Sequence, residues 1–593
     1  MGRRTLSAVI ALLILCLCSC AQSRQAATST LLSTCKDPLE RRIEDVVARM
    51  SVEEKIGQLF MVYFKGPSLS ADLFEMIDTY HVGGIILFNS AGNIEDPAQV
   101  AGLINSAQHE ALTHGARLPL LVAVDQEGGR VVRLTKGVTV FPGNMAIGAS
   151  GSLNHARLMA ATIAKELKAI GINMNLAPVL DVNSNPDNPI IGIRSFGSSP
   201  LQVADFGAAM IDAYRIYGII ATAKHFPGHG DTAVDSHVGL PVVPHGKDHL
   251  ESVELLPFRR AIEAGVPAIM SAHVVVPSLE QEGNLPATLS KAVLSGLLRE
   301  RMGFTGLIVT DSLGMGAIRT GYGMCEAARM AFQAGADILL FGADGHCEPQ
   351  DQIASFKHLC FCVNTGSISM ERLDESVRRI LRVKMEYGLF RALPASTGDI
   401  PDKAGTVKHR IIAELIARDS ITLVRDEKGF LPLNRRHPVM IVWTYPAEGH
   451  GTPPCGHTSL PVTHPLSLDP SDEKIDAVVH AADSYPCVVV GTYDARHHPK
   501  QQDLLRALSA ADTDLIVVGI QGPYDLICCP DVPCYMAIYG AQQVSLGALA
   551  RVIFGAERPR GKLPVDLPGL YPRGHGLLEF NTMREISPNV RDL

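Results

Sequence analysis

Between Ser51 and Gly388 short apolar runs alternate with longer segments whose apolar residues recur at helical spacing, the pattern of βα units around a parallel sheet. Eight runs read as strands: Leu59–Phe64, Gly84–Phe88, Leu120–Asp125, Asn175–Val182, Ile219–Phe226, Ala268–His273, Leu307–Asp311 and Ile338–Phe341. Amphipathic stretches such as His155–Ile170 and His249–Ala264 lie between them. Eight such repeats predict an α/β fold with an N-terminal (β/α)8 TIM-like barrel over 36–390. Several runs end on a group capable of chemistry: Asp125, Lys224 with His225, His273 and Asp311. In a barrel those ends form the rim on which active sites are built, so separately read strands point to one mouth. The plainer explanation, that polar residues mark where strands meet loops, accounts for polarity. It accounts less well for Lys-His closing one strand and carboxylates closing two others.

Past Gly388 the pattern breaks at Pro394, Ala395, Ser396, Gly398, Pro401 and Gly405, which reads as a linker over 391–409. A second unit, 410–593, then shows buried strands at Ser420–Arg425, Val439–Trp443, Cys487–Gly491 and Leu515–Ile520, and helices at Asp503–Ala510 and Gln542–Phe554. It is expected to be a smaller α/β sandwich. Its Gly519-Ile520-Gln521-Gly522 reads as a turn, because no lysine-bearing helix follows at phosphate-loop spacing.

Composition adds little to this picture but excludes much. Apolar residues make up 46% and charged residues 19% of 593, which is ordinary for a globular chain. A net charge of −8 without long single-sign runs leaves no footprint for nucleic acid. The N-terminus departs from the average: Arg3 and Arg4 precede an apolar stretch, Leu6 to Leu17, laid out as a secretory signal and too short for a stable anchor. The segment 1–20 ends Leu17-Cys18-Ser19-Cys20, which resembles a bacterial lipobox with Cys20 as the lipidated residue; ordinary cleavage near Ala21 is the alternative. Both readings export the protein to the cell envelope, with membrane contact only through a lipid on Cys20. Of thirteen cysteines, three fall in that segment and the rest are irregularly spaced. A local bridge among Cys528, Cys529 and Cys534, or one between Cys455 and Cys487, is compatible with export.

The passage densest in chemistry runs from Lys224 to His237: Lys-His-Phe-Pro-Gly-His-Gly-Asp-Thr-Ala-Val-Asp-Ser-His. Glycine and proline in its first half preclude continuation of strand or helix, so it reads as a rim loop carrying His225, His229, His237, Asp231 and Asp235. This passage resembles the β-N-acetylglucosaminidase branch of glycoside hydrolase family 3. The resemblance extends through Asp125-Gln126-Glu127-Gly128-Gly129-Arg130-Val131-Val132-Arg133, through Ile193-Arg194-Ser195-Phe196-Gly197 and through Ile308-Val309-Thr310-Asp311-Ser312-Leu313-Gly314-Met315. Echoes in the second unit occur at Ser420-Ile421-Thr422-Leu423-Val424 and Gly561-Lys562-Leu563-Pro564-Val565.

The resemblance implies that Asp311 is the nucleophile of a retaining mechanism, forming a covalent glycosyl-enzyme. The alternative for Asp311 is a helix N-cap ahead of Ser312-Leu313-Gly314. In this branch a histidine replaces the usual second carboxylic acid, which carries over to His237, with Asp235 orienting its ring. Asp125, Arg133, Arg194, Lys224 and His225 resemble the residues that grip the sugar, and Arg130 and His273 are weaker candidates for the same task. A structural ion-pair set around Asp125 is the competing reading of Arg130.

No cofactor and no metal are expected. His225, His229, Asp231 and His237 lie close in sequence, but no His-x-His or His-Glu-x-x-His arrangement occurs in that loop. The implied activity is exo-acting release of terminal β-N-acetylglucosamine, with muropeptides from peptidoglycan favoured over chitin or host glycans. A glycoside phosphorylase, with phosphate as acceptor, and a non-catalytic sugar-binding envelope lipoprotein are the alternatives. A β-glucosidase of the same family fits less well, since that branch lacks the Asp-Ser-His passage.

Overall fold

The computed structural model describes residues 37–581 apart from 236–238, 281–284, 344–346, 435, 447–463 and 512. The signal segment, Cys20, Cys455 and His237 therefore lie outside the described residues. The chain divides into two compact units, Met1–Ser51 and Val52–Leu593. In the first, the described residues form one helix, Pro38–Val47, started by Asp37, whose carboxylate accepts from the Leu39 amide, and by a proline in its first turn.

The second unit opens with an eight-stranded parallel sheet. Its strands are β1 (Phe60–Val62), β2 (Gly84–Ile86), β3 (Leu121–Val124), β4 (Met174–Asn175), β5 (Ile220–Phe226), β6 (Ala268–Ser271), β7 (Leu307–Val309) and β8 (Leu339–Phe341). Neighbours pair in that order, β8 pairs with β1, and a parallel bridge from Val309 to Ile338 closes the barrel. Each predicted run overlaps its strand. The strands are shorter than the runs because an apolar run records burial on both faces, whereas a strand requires pairing. Asn175–Val182 shows this most clearly. Pro178 offers no backbone donor, and after β4 the chain keeps to the sheet through a bridge from Val179 to Lys224 and single bonds such as that from the Thr222 amide to the Ala177 carbonyl. The predicted helix His249–Ala264 divides into Lys247–Ser252 and Leu255–Glu263, since Pro257 has no N–H to return to the Val253 carbonyl.

The predicted linker is held down rather than loose. The Asn105 side chain bonds the Ala395 backbone in both directions, at 2.9 and 2.8 Å. Buried Glu166 accepts from the Thr139 amide and hydroxyl, from the Gly405 amide at 2.9 Å and meets His409 Nδ1 at 2.8 Å. Beyond it lies a six-stranded sheet of β9 (Thr422–Asp426), β10 (Val439–Thr444), β11 (His464–Leu466), β12 (Cys487–Thr492), β13 (Asp514–Gly519) and β14 (Cys534–Ala537). The order is β9-β14-β13-β12-β10-β11, parallel except at the β9 edge. Apolar clusters cover both faces, one with Val478 and Leu504, the other with Ala417 and Leu549, which makes the α/β sandwich. Met145, Ala146 and Ala149 of the helix Asn144–Ser150 and Ile193 join the first cluster, so segments of the barrel domain pack into the core of the sandwich. Cys528, Cys529 and Cys534 are unbridged: Cys534 starts the buried strand β14, while Cys529 Sγ lies against the Asp525 carbonyl.

Candidate active site

The residues Asp125, Arg130, Arg133, Arg194, Lys224, His225 and Asp311 line one cavity of about 190 Å³ at the C-terminal ends of the barrel strands, with His229 and Ser312 beside them. Ile86, Phe88, Leu176, Met270, Met315 and Leu340 supply its apolar wall. Polar groups on a mostly apolar wall fix orientation in a small-ligand site.

The Gln-Glu-Gly-Gly-Arg turn sets its first side. Gly128 and Gly129 take φ of +87° and +66°, and a Cβ on Gly129 would lie 2.9 Å from the Pro142 carbonyl, so only glycine lets the hairpin Gln126–Gly128/Val131–Val132 turn here. Gln126 Oε1 accepts the amides of Arg133 and Leu134, which places Arg133 above Phe88 with its guanidinium carbon 5.2 Å from the ring centre.

Beneath the cavity runs a chain of charges. Lys224 Nζ lies 2.6 Å from Asp125 Oδ1 and 2.8 Å from Glu127 Oε1. Arg194 grips Glu127 with two bonds, Nε to Oε2 at 3.0 Å and Nη2 to Oε1 at 2.8 Å. Arg133 reaches Asp125 Oδ2 at 3.5 Å. His225 Nδ1 meets Asp181 Oδ2 at 2.7 Å, and the His229 amide donates to Asp181 Oδ1 at 2.7 Å. Burial alone would raise the Glu127 carboxyl, but Arg194 and Lys224 outweigh it and hold it well below the usual carboxylate range. Burial works the same way on Asp181, where His225 and His229 prevail and lower it. Lys224 is raised, its burial offset by Asp125 and then Glu127. These groups stay charged and fixed, so they present preset dipoles to whatever enters the cavity.

Glu127 and Asp181 were not assigned from sequence. Glu127 stood inside a motif and Asp181 inside an apolar run, and only the fold shows that each anchors two groups of the site.

Asp311 follows β7 at the rim and accepts the Ser312 amide at 2.8 Å. The next helix, Gly316–Tyr322, is entered through Met315, so Asp311 is not an N-cap. His273 is fully buried and does not line the cavity. Its Nε2 lies 2.8 Å from the Ser312 carbonyl and its Nδ1 2.9 Å from Thr288 Oγ1, so it steadies the segment behind Asp311 instead of meeting a ligand. Arg130 lines the cavity and reaches the Pro189 carbonyl at 3.5 Å, outside the ion-pair set of Asp125. It also borders a second cavity of about 550 Å³ whose far wall is Tyr493, Gln521 and Gln542 of the sandwich. Asp235 is half-buried and its carbonyl accepts the Gly239 amide; it does not line the first cavity. Burial pushes the Glu254 carboxyl, below the same loop, up to about 7.

A closed (β/α)8 barrel with charged side chains and carboxylates converging on a cavity at the C-terminal rim of its strands has the layout of an enzyme of the barrel class. Residues 51–383 match the glycosyl hydrolase family 3 N terminal domain and residues 421–572 the glycosyl hydrolase family 3 C-terminal domain, and the chain belongs to that family. It is 32% identical to "Beta-hexosaminidase A" of Pseudoalteromonas piscicida over 87% of this chain and 97% of that one. It is 29% identical to "Beta-N-acetylglucosaminidase/beta-glucosidase" of Cellulomonas fimi over 88% and 95%. Among solved structures it resembles a family 3 β-N-acetylglucosaminidase from Paenibacillus sp. str. FPU-7, with 40% identity, TM-score 0.82 and coverage of 87% of this chain and 99% of that one.

Proposed function

We propose that the protein removes terminal β-linked N-acetylglucosamine with retention of configuration, Asp311 acting as nucleophile and His237, oriented by Asp235, as acid and base. The observation that carries this reading is Asp311 at the rim of a cavity whose other polar lining is a prearranged set of charged hydrogen-bonding groups. The relatives named for this activity support it, since they match nearly end to end. Asp125 and Lys224, locked to each other, accept from and donate to ring hydroxyls; Arg133, Arg194 and His225 complete the grip on hydroxyls and acetamide.

Attack of Asp311 on the anomeric carbon forms an ester while His237 protonates the departing oxygen; His237 then deprotonates the water that cleaves the ester. The amide of Ser312 fixes one Asp311 oxygen before the sugar arrives. The leaving part of the substrate extends past Arg130 toward the second cavity, which gives the sandwich domain the role of a subsite wall. An exported enzyme of this kind acts on cell-wall fragments in the envelope.

The test compares release of 4-nitrophenol from its β-N-acetylglucosaminide and its β-glucoside by the mature protein. Much faster turnover of the first is expected, and equal rates on both would refute the assignment. Repeating the assay with inorganic phosphate and analysing the sugar distinguishes free N-acetylglucosamine, the expected product, from sugar 1-phosphate.

A further inference from the structure

The histidines between Lys224 and His237 have a spacing unsuited to a metal site. The fold supplies different partners. His245, farther along the connection that continues from the rim loop, and His249, in the helix Lys247–Ser252, meet Glu254, and their ligand atoms all lie within 4.8 Å of one another. The two rings stack with centres 3.8 Å apart. His249 Nε2 is 3.5 Å from Glu254 Oε1.

Glu254 makes the second, independent observation. Its side chain is 2% exposed, yet among the described residues neither carboxylate oxygen accepts a hydrogen bond. A buried carboxylate left so is costly unless it takes up a proton or meets a cation. Asp231 supplies a third feature by pairing with Nε2 of His245. Metal-bound histidines regularly give their other ring nitrogen to a carboxylate, which sets the tautomer and orients the ring. Two imidazoles and one carboxylate form a nitrogen-rich set suited to zinc-class ions rather than to magnesium or calcium, which take oxygen ligands. Ligands around one such ion stand about 3.5 Å apart, so the three groups need only a small contraction.

We propose that His245, His249 and Glu254 bind one divalent ion of the zinc class, braced by Asp231, and that this ion fastens the foot of the rim loop. Position gives the ion its effect. Asp231 and His245 stand at the two ends of the segment that includes Asp235 and His237, and Glu254 lies directly under Gly228, where a Cβ would come within 2.7 Å of the Glu254 side chain. An ion here ties both ends of that segment to the helices below it. It takes no part in bond cleavage. The importance of the loop rests on the function proposed above, whereas the binding site does not.

The test uses the full mature chain, stripped with chelator and titrated with Zn2+ by calorimetry, with the bound metal counted by elemental analysis. One Zn2+ per chain is expected, with no comparable uptake of Mg2+. His249→Ala, a half-exposed position where folding should survive, and Glu254→Gln should each abolish that binding, and Asp231→Asn should weaken it by about 10- to 100-fold. Zn2+ should slow proteolysis between Asp231 and His245 in the unaltered chain but not in His249→Ala. Asp311→Ala should retain the ion while losing turnover, which separates failure of this site from failure of the proposed activity. No Zn2+ uptake, or equal uptake by a folded His249→Ala variant, would overturn the proposal.

Discussion

Asp311 and Glu127 are both carboxylates close behind barrel strands, yet their surroundings give them opposite tasks. Glu127 is 1% exposed and is held by Arg194 and Lys224 together, so it cannot turn to a sugar. Asp311 faces the cavity with one oxygen fixed by a backbone amide. Asp311→Ala is therefore predicted to remove turnover altogether. His237→Ala should lower rates on substrates with poor leaving groups by about 10²- to 10⁴-fold while sparing activated aryl glycosides, a split visible in kcat across a leaving-group series. A uniform loss would move the acid/base role elsewhere. Glu127→Gln removes the negative charge beneath Lys224 and Arg194, and misplacement of those two should cost about a hundredfold in kcat/KM without any change in leaving-group dependence. Neither the position of Glu127 in a motif nor that of Asp181 in an apolar run says which side chains they hold, because Arg194 and His225 are 67 and 44 residues away.

At the scale of elements, the strands and helices of the barrel were legible because burial writes itself as apolar runs. The linker was not. Its prolines and glycines reported irregular backbone, but irregular backbone still needs partners, and Glu166 and Asn105 provide them from the barrel helices. Glu166→Ala leaves the Thr139, Gly405 and His409 groups without an acceptor and is predicted to destabilise by about 3 kcal/mol and to open 391–409 to protease. Strand β14 was missed for a related reason: Cys534-Tyr535-Met536-Ala537 follows a Cys- and Pro-rich stretch that reads as loop, and its burial comes from β9 and β13 on either side. Nearby Asp525 offers a pH test. Burial pushes its carboxyl up to about 7, against the bonds from Thr492 Oγ1 and the Ala495 amide. The folded protein thus holds a proton there that the unfolded chain has lost above about pH 4, and stability should fall by about 4 kcal/mol as pH rises from 4 to 7. Asp525→Asn should abolish that dependence in urea unfolding and leave the variant the more stable above pH 7.

Over the whole molecule, barrel and sandwich act as a single body with a shared apolar core at Met145, Ala146 and Ile193. The sequence predicted both domains and offered no catalytic group in the second, which left packing support or a subsite wall as its role. The second cavity, walled by Tyr493 and Gln521 beside Arg130, shows that the sandwich reaches the rim. That closeness depends on two long-range packings, and no local pattern announces it. The rim residues Asp125, Lys224, His225 and Asp311 were readable because a barrel strand's end is marked in the chain itself, while the loop carrying Asp235 relies on the family resemblance for its assignment. A covalent intermediate on Asp311 is checked by intact-mass and peptide analysis after trapping with a fluorinated N-acetylglucosaminyl fluoride. One added glycosyl mass is expected on the peptide containing Asp311, absent in Asp311→Ala; an unmodified enzyme, or a label on another carboxylate, would rule that intermediate out.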